Sequence, residues 1–174
     1  MNTIFIPQRC ALQGIIQNFK EPKSMIRILF ICHGNICRSV SAEYIFNMMV
    51  AERGLSDRFR ADSAATSTEE IGNPIYPPMR KALVQHNVPI GDHRARQVRR
   101  SEYEDFDLII GMDEENMYYL GRILGEDRDG KIKYLMEYTD TPDAEIEDPW
   151  YTRNFEKAYQ DIYKGCEGLL NELT

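Results

Sequence analysis

Long apolar runs are absent from this sequence: no stretch approaches the roughly 20 residues that a bilayer-crossing helix requires, which argues against a membrane span. Cysteine is scarce. Four thiols, at positions 10, 32, 37 and 166, are too few for a disulfide scaffold and point to a reducing compartment, hence the cytoplasm. Positive charge is also short, with 21 Lys and Arg against 28 Asp and Glu, and the net charge of −7 disfavours a general nucleic-acid binder. The first 24 residues lack the basic start and unbroken apolar run of a secretory signal, because Pro7, Gln8, Arg9 and Gln13 interrupt them. What remains is 43% hydrophobic over 174 residues, enough for one domain with a sizeable core.

From Met25 onward, strand-like and helix-like stretches alternate. Ile26–Ile31 reads as a strand and is followed by a helix from Arg38 to Glu52, which Gly54 ends as a C-cap. Phe59–Ala64 and Asp107–Met112 read as further strands, with Lys131–Glu137 as a fourth. Pro77-Pro78 suits a helix start, running to His86. A short polar helix is expected at Ser101–Asp105, and another opens at Asp113-Glu114-Glu115. Thr139–Tyr151 reads as an acidic, proline-containing loop and Phe155–Leu173 as a final amphipathic helix. This alternation predicts an α/β fold, a single domain with a four-stranded parallel sheet flanked by helices on both faces. The domain is expected to span residues 25–174, with 1–24 as an extension. That extension reads as a short helix around Ala11–Asn18, as a loose segment, or as a stretch preceding the biological start at Met25.

Ligands of such sheets sit beyond the carboxyl ends of the strands. There, after the first strand, stands Cys32-His33-Gly34-Asn35-Ile36-Cys37-Arg38-Ser39. A thiol at a strand end, a turn and a helix N-terminus with an arginine are the parts of a phosphate-binding loop. An ordinary thiol, with a pKa near 8.5, is only about 3% ionised at pH 7, so a thiol nucleophile needs neighbours that favour the thiolate. A helix N-terminus, Arg38 and the Ser39 hydroxyl are such neighbours. Successive N–H groups from His33 to Arg38 can cradle phosphoryl oxygens with Arg38 as a bidentate clamp, and Gly34 and Asn35 both tolerate positive φ. Asp140, Asp143, Glu145, Glu147 and Asp148 are the candidates for an acid that protonates a leaving oxygen. A nucleotide P-loop needs a second glycine and a lysine that this loop lacks. A zinc site from Cys32, His33 and Cys37 lacks a second ligand pair. A merely buried cysteine leaves the rest of the loop unexplained.

Cys-x-Gly-Asn-Ile-Cys-Arg-Ser after an apolar strand, with Asp148-Pro149-Trp150-Tyr151 far downstream, resembles the low-molecular-weight protein tyrosine phosphatases. Ser63-Ala64-Ala65, His93-Arg94-Ala95-Arg96-Gln97 and Met112-Asp113-Glu114 also match that pattern, over residues 26–173. The resemblance implies Cys32 as nucleophile through a phosphocysteine, Arg38 as phosphate clamp and Asp148 as general acid, then base. It implies that Asn35 holds a left-handed turn supported by Ser39, Ser63 and His93, and that Trp150 and Tyr151 wall the substrate ring. The implied partners are phosphotyrosine proteins, among them a cognate tyrosine kinase, with neither metal nor cofactor.

Two positions depart from the pattern. His33 stands where the family often has a small or apolar residue, and Glu69 falls where mammalian members carry a tryptophan that walls the pocket. Glu69 is expected to weaken stacking and repel acidic peptides. Plainer readings stand beside several of these: Asp148 before Pro149 as a turn former, Trp150 as a core anchor, His93 as a satisfied histidine, Arg94, Arg96, Arg99 and Arg100 as a solvated face. Cys37 reads either as packing under the loop or as a redox partner that forms a disulfide with Cys32 and protects it from overoxidation. Arsenate reductases of this fold use further cysteines, which are lacking between Cys37 and Cys166, and protein arginine phosphatases carry threonine where Ile36 stands. A non-enzymatic phosphoprotein-binding module has no need of the thiol, the arginine and the acid together.

Overall fold

The computed structural model describes residues 25–174, so the expected helix at Ala11–Asn18, and Cys10 with it, lies outside the described residues. Strand β1 (Ile26–Cys32) takes the middle of the sheet, and everything from Ile28 to Cys32 in it is buried. The reason is that both faces are covered. Ile28 and Phe30 point into one cluster with Val40, Ile45, Phe46 and Met49 of α1 (Arg38–Glu52), Leu83 of α2 (Pro77–Gln85) and Ile162 and Leu169 of α6 (Phe155–Leu173). Leu29 and Ile31 point the other way, against Tyr103 of α3 (Glu102–Asp105) and Leu120 and Leu124 of α4 (Glu114–Leu124). A strand buried on both sides reads as a continuous apolar run rather than an alternation.

The sheet order is β2-β1-β3-β4, with β2 at Phe59–Ala65, β3 at Leu108–Gly111 and β4 at Ile132–Tyr134, and every pairing is parallel. The chain leaves β1 to one side for β2 and then crosses to the other side for β3. The end of β1 is therefore the switch point, where a crevice opens in open α/β sheets. Register completes the placement. Cys32 pairs with Ala65, and Ala65 bridges Gln97, which carries the Ser63 and His93–Gln97 segments to the edge of the crevice.

Two expected elements differ in extent. β4 covers only Ile132–Tyr134, and Leu135–Tyr138 turns into a 3₁₀ helix instead of extending to Glu137. The Glu137 carboxylate accepts from the Tyr134 N–H at 2.8 Å, which starts the turn. Helix α6 also approaches too closely for anything bulkier: a Cβ on Gly168 would lie 1.8 Å from the Tyr138 carbonyl oxygen. The acidic loop, in turn, ends in a short helix α5 (Pro149–Thr152), with Pro149 at its first position and Asp148 as N-cap. Among the described residues no helix is long and apolar enough to cross a membrane.

Candidate active site

The turn between β1 and α1 wraps around one sulfur. Cys32 Sγ, 3% exposed, lies 3.0 Å from Ser39 Oγ and accepts from the Asn35 N–H at 3.3 Å. Asn35 is the residue that takes the left-handed conformation, with φ of 56°. Gly34, which would also tolerate it, does not adopt it. It is small because the Glu70 side chain crosses it, and a Cβ there would sit 3.1 Å from Glu70 Cγ. Helix α1 begins with no side-chain cap and no acidic residue in its first turn, so its positive end faces the crevice uncompensated.

Arg38, the first residue of α1, carries a guanidinium that is 1% exposed. Its Nη1 donates to Asp113 Oδ2 and to the Ile146 carbonyl at 2.9 Å, while Nη2 donates to Asp148 Oδ2 at 2.8 Å. Burial alone disfavours its charge, but Cys32, Asp148 and Asp113 outweigh that and hold its pKa above the ordinary arginine value. Both carboxylates are doubly committed. Asp113 Oδ1 accepts from Asn116 N–H at 2.8 Å and caps α4, and Asp148 Oδ1 accepts from Trp150 N–H at 2.9 Å and caps α5. Helix starts thus fix the acids, and the acids fix the arginine. Arg38 Nε has no partner among the described residues.

A second set of polar groups holds Asn35. Its amide donates to Ser39 Oγ at 2.9 Å and to Ser63 Oγ at 2.8 Å, and its Oδ1 accepts from the Arg96 N–H at 3.1 Å. His93 Nε2 donates to the Asn35 carbonyl at 2.6 Å, which fixes its tautomer, and burial holds its pKa below the usual value against that bond. Ser63 Oγ in turn donates to Glu43 Oε2 at 2.5 Å. Cys37 lies buried in the core cluster. Burial pushes its thiol far up, with Cys32, Asp148 and Glu70 adding to the shift and Arg38 opposing it.

The crevice is lined by this loop, by Glu69 and Glu70 on one side and by Asp148, Trp150 and Tyr151 on the other. Trp150 is 42% exposed and tilts against Tyr76 with ring centroids 5.0 Å apart, so it is a wall rather than a core anchor. Tyr151 is 82% exposed. The two residues that depart from the family pattern meet: His33 Nε2 and Glu69 Oε2 are 3.1 Å apart at the mouth.

The family profile of the low molecular weight phosphotyrosine protein phosphatases matches residues 27–174. The chain belongs to that family. The low molecular weight protein-tyrosine-phosphatase YfkJ of Bacillus subtilis is 42% identical over 147 residues, which are 84% of this chain and 94% of that protein. The human low molecular weight phosphotyrosine protein phosphatase is 38% identical over 83% of this chain and 94% of its own length. The crystal structure of YfkJ superposes with a TM-score of 0.83, covering 86% of this chain and 95% of its own. That of the Streptococcus pyogenes enzyme SP-PTP is 34% identical, with a TM-score of 0.77, over 86% and 94% of the two chains. The family is one of hydrolases, and the single parallel α/β sheet is its fold.

The expected loop residues His33 to Ser39, with Cys32, Asp148, Ser63, His93, Glu69, Trp150 and Tyr151, are all brought together at the end of β1. Of the five acids in the Thr139–Tyr151 stretch, Asp148 is the one that reaches Arg38. The other four do not. Glu145 accepts from the Glu114 N–H at 2.7 Å instead. Four contributors escape the sequence reading: Asp113 as the second carboxylate on Arg38, Glu43 behind Ser63, Glu70 over Gly34, and Tyr76 behind Trp150. Asp113 had a signal, since it heads a helix directly after the strand beside β1.

Proposed function

We propose that this chain hydrolyses phosphotyrosine esters in two steps through a phosphocysteine. The observation that carries the reading is the meeting of Cys32 Sγ, the open N-terminus of α1, buried Arg38 and Asp148 in one crevice. The Cys32 thiolate attacks phosphorus while the loop N–H groups and Arg38 bind the non-bridging oxygens and the charge that grows on them. Protonated Asp148 delivers its proton to the phenolic oxygen as the P–O bond breaks. The resulting carboxylate then takes a proton from water, whose oxygen attacks the phosphocysteine, expels the thiolate and releases phosphate. Trp150 and Tyr151 hold the ring. Phosphotyrosine proteins, a cognate tyrosine kinase among them, are the substrates in this reading, and the cytoplasm is the site of action.

Two observations favour this chemistry over others on the same fold. Ile36, only 8% exposed, presents an apolar side chain to the crevice and suits an ester rather than a phosphoramidate. Cys166 is enclosed in the core against the Ala42 carbonyl, out of reach as an electron-relaying thiol. The decisive experiment is a substrate panel with the wild-type chain, EDTA present throughout. A phosphotyrosine peptide is expected to be hydrolysed far faster than phosphoserine peptide or phosphoarginine, and faster phosphoarginine hydrolysis overturns the substrate assignment. Asp148→Asn is expected to cut kcat on the phosphotyrosine peptide by about 10²–10⁴-fold, the usual worth of general acid–base catalysis. The loss shrinks for p-nitrophenyl phosphate, whose more acidic leaving group needs less protonation. An equal loss on both substrates removes Asp148 from the role of acid.

A further inference from the structure

We propose that Glu43, on the second turn of α1 and outside the crevice, is a positioning residue for the sulfur chemistry at Cys32, acting through Ser63, Asn35 and Ser39. The inference rests on the phosphatase reading above and adds a residue to it.

Counting donors fixes the direction of every bond in the chain. The Arg96 backbone N–H can only donate, so the Asn35 atom facing it at 3.1 Å is the amide oxygen and the other end is the NH₂. Both of those N–H bonds are spent, one on Ser39 Oγ at 2.9 Å and one on Ser63 Oγ at 2.8 Å. Each hydroxyl, having accepted from Asn35, has one proton left to give. The proton of Ser63 goes to Glu43 Oε2 at 2.5 Å, and the proton of Ser39 goes to Cys32 Sγ at 3.0 Å. A donor aimed at that sulfur stabilises it both as attacking thiolate and as leaving thiolate. Ionised Glu43 accepts only, so it locks the Ser63 hydroxyl in the one orientation that offers a lone pair to Asn35. Protonated Glu43 can donate as well as accept, so the Ser63 hydroxyl is no longer held to that one orientation and the amide that aims Ser39 loses its fixed anchor.

The surroundings let this link switch near neutrality. Burial pushes the Glu43 carboxyl up to about 7, against the Ser63 bond that favours ionisation. The facing charges are Asp62, which adds to the rise, and Arg96 and Arg60, which oppose it; Tyr44 is its neighbour on α1. Arg96 is itself shared with Asp62 at 3.1 Å and Glu102 at 2.8 Å, so it does not neutralise Glu43 outright.

The test is the ratio of kcat/KM on p-nitrophenyl phosphate, wild type over Glu43→Gln, followed across pH. The glutamine copies the neutral carboxyl, so the ratio is expected to stay close to unity on the acid side. It should climb through its midpoint near about pH 7 and level off at about threefold to tenfold, the worth of one hydrogen bond. In a Ser63→Ala background the same ratio is expected to collapse to unity at every pH, because the link is already cut. Glu43→Asp, which keeps the charge, is expected to keep the rising profile at reduced height. A stability measurement separates positioning from support. The folded carboxyl titrates above its unfolded value of 4.5, so wild-type stability is lost as pH rises through about 7. Glu43→Gln is therefore expected to unfold at the same temperature as wild type or higher in alkali while being the slower enzyme. A flat ratio, or a ratio unchanged in the Ser63→Ala background, overturns the proposal and leaves the phosphatase reading standing; absence of wild-type turnover overturns both.

Discussion

Cys32→Ser is expected to reduce turnover of p-nitrophenyl phosphate and phosphotyrosine peptide by at least about 10⁴-fold, the scale seen when an essential nucleophile is removed. Position 32 ends a strand paired on both sides of the sheet, and its side chain is almost wholly enclosed by the loop. Oxygen is smaller than sulfur, and the two groups facing Sγ, the Asn35 N–H and the Ser39 hydroxyl, bond to a hydroxyl as well as to a thiol. The fold and the anion cradle therefore survive. What is lost is the more acidic and more nucleophilic sulfur, because an alkyl hydroxyl is far less acidic than a thiol and no described group is placed beside it as a strong base. The expected pair of results is near-zero turnover with unchanged binding of inorganic phosphate, measured by calorimetry. Turnover within tenfold of wild type would falsify the covalent route. Loss of phosphate binding together with turnover would instead mean that the loop had collapsed.

How much of this was legible beforehand follows from the range over which each interaction acts. The β1–α1 unit could be read almost to the residue, because a strand buried on both faces, a left-handed Asn35 and a helix ended by Gly54 are local consequences of side-chain type. The Asp148-Pro149 pair was equally local, yet it read as a loop because a four-residue helix leaves no periodicity to detect. The strand expected to run to Glu137 failed for a tertiary reason: Leu135–Tyr138 must curl beneath Gly165 and Gly168 of α6. Glu43, Asp113 and Glu70 share a different obstacle. Each is an ordinary charged residue on a helix or loop, and only the packing of α1 on β2, of α4 behind Arg38, and of the Glu70 loop over Gly34 gives it a partner. Sequence spacing locates a loop that binds phosphate. Glu43 behind Ser63 and Glu70 over Gly34 lie outside the matched segments and carry no motif.

Arg38→Lys conserves charge and is nevertheless expected to lower kcat/KM by about 10³-fold or more, within the range attributed to arginines that stabilise phosphoryl transfer. The guanidinium does two jobs at once. Its Nη1 and Nη2 edges hold Asp113, the Ile146 carbonyl and Asp148, and its Nε keeps a donor directed to no described residue and free for a phosphoryl oxygen. An ammonium has three donors on one atom at the end of a flexible chain. It cannot span two carboxylates on separate helix starts and still present a planar fork to phosphate. The carboxylates respond next. Asp113 and Asp148 are only 16% and 21% exposed, so a poorly placed cation between them leaves like charges facing one another across a partly dry site. Stability is expected to fall by about 2 kcal/mol, somewhat less than the 3–5 kcal/mol cost of breaking a buried pair outright, because the charge is retained. Urea unfolding and steady-state kinetics on the same preparation check both halves. Asp113→Asn sharpens the interpretation, since it removes one of the two competing carboxylates from the lysine. In the Arg38→Lys, Asp113→Asn double variant, much of the lost stability is expected to return while the rate does not, because the fork that grips phosphate is still missing. Recovery of rate together with stability would assign Arg38 to holding the fold, and retention of more than a tenth of wild-type kcat/KM by the lysine variant would remove it from the transition state altogether.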